Sequence, residues 1–309
     1  MICINDNIFE YDKFPNGELQ LIVNKDLLKN NNYINYYFDS EILAEELQAL
    51  YFLCSYVDLH SNNQFYLNFS YLPYSRMDRE LADQVCTLNP FLQLFLQFKH
   101  CKIIVNSLHS SKNIPEQFLH RILHTRDVEF VVEHFLFLNV QDYSSESTKN
   151  KIIVFPDEGA LIRYCKNDDS LLRLFPEDTK ILFGIKDRNP IIREIVSYRL
   201  KDYSRGYIPF DLQLNDSDLG KDVIIIDDLC ENGNTAYECA KAISKLGFNN
   251  DISLFVYHLS YSACQETSAL FLPDNKIKSV YATDSMLNTN QLKEFYNNTL
   301  NFNIIKLRK

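Results

Sequence analysis

The densest chemistry lies in DVIIIDDLCENGNTAYECAKAISKLG, residues 222–247, where an apolar run ends in Asp227 and Asp228 and a short loop opens into an amphipathic pattern of helical period. Backbone N–H groups at such a helix start and the Thr235 hydroxyl would face a phosphate, and the two aspartates would accept from ribose hydroxyls. The same residues also read as an ordinary strand-to-helix turn with acidic caps. FGIKDRN sets Lys186 and Arg188 two residues apart after an apolar run. That pair suits charge developing on phosphate oxygens, and on spacing alone it equally suits a solvated basic surface. Arg76, Asp78 and Arg79 in LPYSRMDRE are open to the same two readings. The chain has only seven glycines, and Gly17, Gly159 and Gly233 stand inside loop motifs, where backbone geometry accounts for them better than composition does.

Elements able to position these residues recur along the chain. Short apolar, β-branched runs predict strands at 19–24, 64–72, 101–108, 151–157, 180–186, 222–228, 252–259 and 279–283, and the closing FNIIKLRK reads as another. Helical patterns fall at 40–56 behind a capping Ser40, at 89–98 with Pro90 in the first turn, and at 235–246 closed by Gly247. Strands alternating with helices predict an α/β chain with mostly parallel sheets. The polar stretch QDYSSESTKN, 141–150, is the candidate linker, dividing the chain into domains at 1–145 and 146–309.

Composition removes several classes. With 309 residues the chain can bury two real cores, and 31 Lys+Arg against 41 Asp+Glu, a net charge of −10, oppose nonspecific duplex binding, so no nucleic-acid partner is expected. No apolar run approaches the roughly 20 residues that span a bilayer. The N-terminus carries no basic and apolar leader pattern, and the eight cysteines are scattered without zinc-loop spacing. The expectation is a cytoplasmic protein with no membrane partner, its cysteines serving mostly as small buried hydrophobes.

Six motifs in order resemble the phosphoribosyl pyrophosphate synthetase (ribose-phosphate pyrophosphokinase) family, over nearly the whole chain. KFPNGELQLIV places Phe14, Asn16 and Glu18 on that family's F-x-[ND]-x-E motif, which contacts ATP from a neighbouring subunit. LPYSRMDRE places Tyr74, Arg76, Asp78 and Arg79 on its ATP-binding segment. VNSLHSS and FPDEGA put His109 and Asp157 at its metal-associated positions, Lys186 and Arg188 match its catalytic loop, and Asp227, Asp228, Glu231, Asn232, Gly233, Asn234 and Thr235 match its sugar-phosphate loop. The resemblance implies two type I phosphoribosyltransferase-like domains, ATP bound on the N-terminal side and sugar phosphate on the C-terminal side. It also implies Mg²⁺ as cofactor and a homo-oligomer, a dimer or dimer-based hexamer. The implied reaction moves the β,γ-diphosphate of ATP to the anomeric hydroxyl of a ribose 5-phosphate-type acceptor and releases AMP.

Departures from the family sharpen the expectation. Asn234 replaces a loop glycine, Glu231 replaces an aspartate, Met77 stands for glutamine and Ser107 for aspartate. The segment 189–221 is long, and its Arg193, Arg199, Lys201, Tyr203, Arg205 and Tyr207 would suit stacking on a nucleotide-like extension. These changes favour an acceptor extended at its 5′-phosphate, namely ADP-ribose, giving ADP-ribose 1-pyrophosphate for NAD synthesis. Plain ribose 5-phosphate is the other acceptor. The rival readings are a catalytically silent regulatory homologue and a phosphoribosyltransferase.

Overall fold

The computed structural model describes residues 1–309 apart from 62, 81–83, 111, 138–149, 168–169, 189–194, 204–208, 211, 213, 249, 295–299 and 308–309. Contacts divide the chain into two compact units: Met1–Arg126 with Ser285–Asn288 and Leu307–Lys309, and Asp127–Asp284 with Thr289–Lys306. The division falls upstream of the polar stretch 141–150, nearly all of which lies outside the described residues.

The first unit contains β1 (Ile2–Ile4), β2 (Asn7–Phe9), β3 (Tyr11–Lys13), β4 (Leu19–Leu21), β5 (Asn32–Tyr36), α1 (Leu43–His60), β6 (Phe65–Phe69), α2 (Leu88–Leu96), β7 (Cys101–Val105), α3 (Glu116–Leu119) and β8 (Ile122–His124). Its sheet runs β2-β1-β5-β6-β7-β8, with β5 to β8 parallel and β1 antiparallel to both neighbours. β3 and β4 form a separate hairpin. Period-two burial puts Phe65, Leu67 and Phe69 on one face of β6 and Cys101, Ile103 and Val105 on the same face of β7. Against Phe69, α2 lays Phe91 and Phe95, each with its ring centroid 5.8 Å away. Burying one such ring stabilises the fold by about 2–3 kcal/mol. Helix α1 buries Ala49, Leu50, Leu53, Cys54 and Val57 at helical spacing. It starts at Leu43 with no side-chain cap, so Ser40 does not play the capping role its position predicts.

The second unit contains α4 (Val128–Leu136), β9 (Lys151–Phe155), α5 (Glu158–Leu161), β10 (Lys180–Arg188), β11 (Ile195–Tyr203), β12 (Pro209–Phe210), α6 (Asp216–Leu219), β13 (Asp222–Cys230), α7 (Asn234–Lys245), β14 (Ile252–Leu259), β15 (Ile277–Thr283), α8 (Thr289–Glu294) and β16 (Asn301–Ile305). The order is β12-β11-β10-β9-β13-β14-β15-β16. Strand β11 is antiparallel to β10 and β12, and every other pairing is parallel. Val223, Ile224, Ile225 and Ile226 are buried in succession, as a central parallel strand covered on both faces requires. Helix α7 presents Ala236, Cys239, Ala240 and Ile243 to the core. Both units are therefore α/β with mostly parallel sheets, the expected fold class. Among the described residues no helix is long and apolar enough to cross a membrane. Cys3, Cys54, Cys101, Cys230, Cys239 and Cys264 are buried and Cys86 and Cys165 half-buried, and none of the eight forms a disulfide.

Candidate active site

Parallel strands end on one edge of a sheet, and in the second unit β9, β10 and β13 deliver Asp157, Lys186, Asp227 and Asp228 to that edge. Asp157 follows β9 and caps α5, its Oδ1 accepting from the Ala160 N–H at 2.9 Å. Its Oδ2 pairs with Lys186 Nζ at 2.5 Å. Gly159 keeps the cap open, since a Cβ there would stand 3.1 Å from the Asp157 Oδ1. Burial alone would raise the Asp157 carboxyl, but the Lys186 ammonium, by charge and by hydrogen bond, brings it below the usual range.

On β13 the Asp228 N–H donates to Asp227 Oδ1 at 2.9 Å, and Asp228 Oδ2 pairs with Arg163 at 2.7 Å. Arg163 comes from a π-turn over Ile162–Asn167 that continues α5. Nothing in the sequence spacing marks it, because the wider turn breaks the helical phase by which a residue so close to Asp157 would be placed. Burial, then the neighbouring Asp228 and Asp157 charges, hold the Asp227 carboxyl well above the usual range. The edge thus sets the acidic Asp157, Asp227 and Asp228 beside the cationic Lys186 and Arg163, whose pairing with Asp157 and Asp228 fixes donors and acceptors in place.

The loop from β13 to α7 is clamped from one side. Asn232 O accepts from the Ala269 N–H and the Ser268 hydroxyl, both at 3.1 Å, and Glu231 O accepts from the Ser262 hydroxyl. Gly233 has φ +78°, and a Cβ there would lie 2.6 Å from Leu270 Cγ, so both backbone conformation and space demand glycine. Glu231, Asn232 and Asn234 are exposed, and the Asn234 N–H donates to Asn232 Oδ1 at 3.2 Å. The Thr235 hydroxyl, half-buried in the first turn of α7, makes no hydrogen bond to a described residue. The Asn234 side chain is thus on the exposed rim of the loop.

The other candidates lie in the first unit or at its loops. Phe14, Asn16 and Glu18 occupy the tip of the β3–β4 hairpin, where the Phe14 N–H donates to Glu18 O at 2.9 Å and Asn16 Nδ2 donates to the Glu18 carboxylate at 2.9 Å. Phe14 is 46% exposed, so it is not a core residue. Arg76 and Arg79 are exposed, while Asp78 is buried and accepts from Asn113 at 3.2 Å, bracing the loop that carries them. His109 is half-buried just beyond β7. It belongs to the first unit and Asp157 to the second. Among the described residues no three His, Cys, Asp or Glu converge to hold a metal, and both Asp157 oxygens already have partners. The described residues of the second unit therefore form no preformed protein cage for Mg²⁺.

Of the long segment 189–221, Arg193, Arg205 and Tyr207 lie outside the described residues. Tyr203 is buried and cannot stack on a ligand, which corrects the expectation for that residue, whereas Arg199 is exposed and Lys201 half-buried on β11. The backbone of Arg188 ends β10.

Two α/β units with mostly parallel sheets, the second carrying acidic and basic side chains on one strand edge, are similar in fold to a solved two-domain enzyme structure. Among solved structures, the crystal structure of phosphoribosylpyrophosphate synthetase from Mycobacterium smegmatis aligns with a TM-score of 0.68, covering 97% of this chain and 86% of that chain, at 14% identity. A hypothetical protein from Neisseria gonorrhoeae with bound ppGpp aligns at a TM-score of 0.30, 13% identity, 58% of this chain and 82% of that one. No family model and no curated protein sequence matches.

Proposed function

We propose that the protein is an ATP-dependent pyrophosphokinase that transfers the β,γ-diphosphate of ATP to the anomeric hydroxyl of a ribose 5-phosphate-type acceptor. The observation that carries the reading is the Lys186–Asp157 pair beside Asp227 and Asp228 on one strand edge, in a fold shared with a phosphoribosylpyrophosphate synthetase. Diphosphate transfer needs positioning and cations more than a covalent nucleophile. In this account Asp227, Asp228 and Thr235 hold the ribose, and Glu231 to Asn234 line its 5′-phosphate. The anomeric oxygen attacks the β-phosphorus, the bond from that phosphorus to the AMP oxygen breaks, and the products are AMP, the sugar 1-pyrophosphate and a proton. Lys186 and Arg188 stabilise the developing charge.

ATP is assigned to Arg76 and Arg79, with Asp78 bracing their loop. The exposed tip Phe14, Asn16 and Glu18 suits contact from a neighbouring subunit of a homo-oligomer. Mg²⁺ would be brought by ATP and would supply charge neutralisation on the phosphates, with the His109 nitrogen and the Asp157 carboxylate, once released from Lys186, as the protein groups that could take part in holding it. The working compartment is proposed to be the cytoplasm. The exposed loop rim at Glu231, Asn232 and Asn234 favours an acceptor whose 5′-phosphate is esterified, ADP-ribose over ribose 5-phosphate, because outward polar side chains leave room for an extension and can bind it. AMP formation from MgATP with each sugar, and the mass of the sugar product, test the reading. Turnover of neither sugar would favour the silent homologue.

A further inference from the structure

The strand after Lys186 contributes a hydroxyl, on the half-buried Tyr198, that the proposed reaction leaves unused. Strand β11 pairs with β10 so that Tyr198 stands opposite Lys186 and Leu200 opposite Gly184. Gly184 makes room for the Tyr198 side chain: a Cβ there would lie 2.0 Å from Tyr198 Oη and 2.6 Å from the Pro156 carbonyl oxygen. Through that gap Tyr198 Oη donates to Pro156 O at 2.8 Å, on the residue directly before Asp157. The same hydroxyl shares a hydrogen bond with the Cys239 thiol on α7. Burial raises the tyrosine and pushes the thiol up to about 12, so both stay neutral at physiological pH.

One hydroxyl thus ties together the turn bearing Asp157, the strand bearing Lys186 and the helix bearing Thr235. We propose that Tyr198 is a positioning residue, one that fixes the turn after β9 against β10 and so aims Lys186 at the transferring diphosphate. The proposal deepens the pyrophosphokinase reading and rests on it. Three features argue against a purely space-filling tyrosine. Its hydroxyl reaches a backbone carbonyl adjacent to a site carboxylate, its cross-strand partner is the site lysine, and a glycine two residues before that lysine clears its path. A ring without the hydroxyl would fill the same volume and leave the Pro156 carbonyl without this donor.

The test is AMP release from MgATP, with ribose 5-phosphate and ADP-ribose assayed separately, in the wild type, Tyr198→Phe, Gly184→Ala, Ser197→Ala and Lys186→Met. Tyr198→Phe is expected to lower kcat about tenfold or more with both KM values within about twofold, since a misaimed group loses transition-state and not ground-state contact. Gly184→Ala displaces the hydroxyl by bulk and is expected to give the same split, which keeps the test decisive if Tyr198→Phe does not fold. Ser197→Ala, on the opposite face of β11, is expected to match the wild type. If both Tyr198→Phe and Gly184→Ala keep kcat within about twofold while Lys186→Met is inactive, the positioning role is overturned and the reaction stands. If Lys186→Met turns over like the wild type, the pyrophosphokinase reading itself falls, and the positioning role with it.

Discussion

Replacing Lys186 with methionine keeps the bulk of the side chain and removes only the cation that pairs with Asp157 at 2.5 Å. The lysine and aspartate side chains are 16% and 29% exposed, so the pair is shielded but still partly screened, and its loss should cost somewhat less than that of a fully buried pair, about 2–3 kcal/mol at neutral pH. The cost should depend on pH in a defined direction. In the wild type the Asp157 carboxyl lies below its ordinary value, so its contribution to stability is present above the unfolded value of 3.8 and lost as pH falls through the folded one. Without Lys186, burial is the leading influence left, the folded carboxyl moves above its unfolded value, and a penalty grows as pH rises from about 4 to 7. Each unit of that displacement is worth about 1.4 kcal/mol. Urea unfolding followed by circular dichroism should show a difference between wild type and Lys186→Met that is full near pH 7 and shrinks toward pH 4. Adding Asp157→Asn should recover most of it, because the amide needs no counter-cation. A difference below about 0.5 kcal/mol, or one that does not change with pH, refutes the pairing.

Gly233→Ala forces a left-handed alanine, at about 1–2 kcal/mol, and a Cβ 2.6 Å from Leu270 Cγ. It should destabilise the protein by about 2–4 kcal/mol and raise KM for the sugar phosphate well above any change for ATP, as read by thermal melts and initial rates. Arg163→Met leaves the buried Asp228 without its 2.7 Å partner and should cost about 3 kcal/mol in the same melts. Phe14→Ala removes an exposed ring from a hairpin tip, so unfolding should shift by less than about 0.5 kcal/mol while KM for ATP rises about tenfold.

The sequence made the sheets legible where burial is two-sided. The Val223–Ile226 run is apolar throughout and Ile252–Leu259 is interrupted only by Ser253 and His258, and both are central parallel strands. Short strands leave weaker marks. β2 at the sheet edge and β1 beside it, three residues each, fall below the length at which a period of two stands out. In β11, Ser197, Tyr198, Arg199, Leu200 and Lys201 alternate polar and apolar, a strand pattern that the interleaved basic residues equally fit to a ligand surface. Burial takes Tyr203, at the end of that strand, off any such surface. At the site, Asp157, Lys186, Asp227 and Asp228 could be named from order and motif, and the fold sets three of their strands side by side. Arg163 could not be named, because its place depends on a π-turn and on a partner 65 positions away.

The central claim is diphosphate transfer to a ribose hydroxyl, and the most direct measurement is the fate of ATP labelled in its β-phosphate, incubated with Mg²⁺ and ribose 5-phosphate or ADP-ribose. The account predicts AMP and a sugar carrying two added phosphates, with the label in the sugar and with ADP-ribose the better acceptor. Release of ADP and a singly phosphorylated sugar, or ATP left intact with both acceptors, would contradict it.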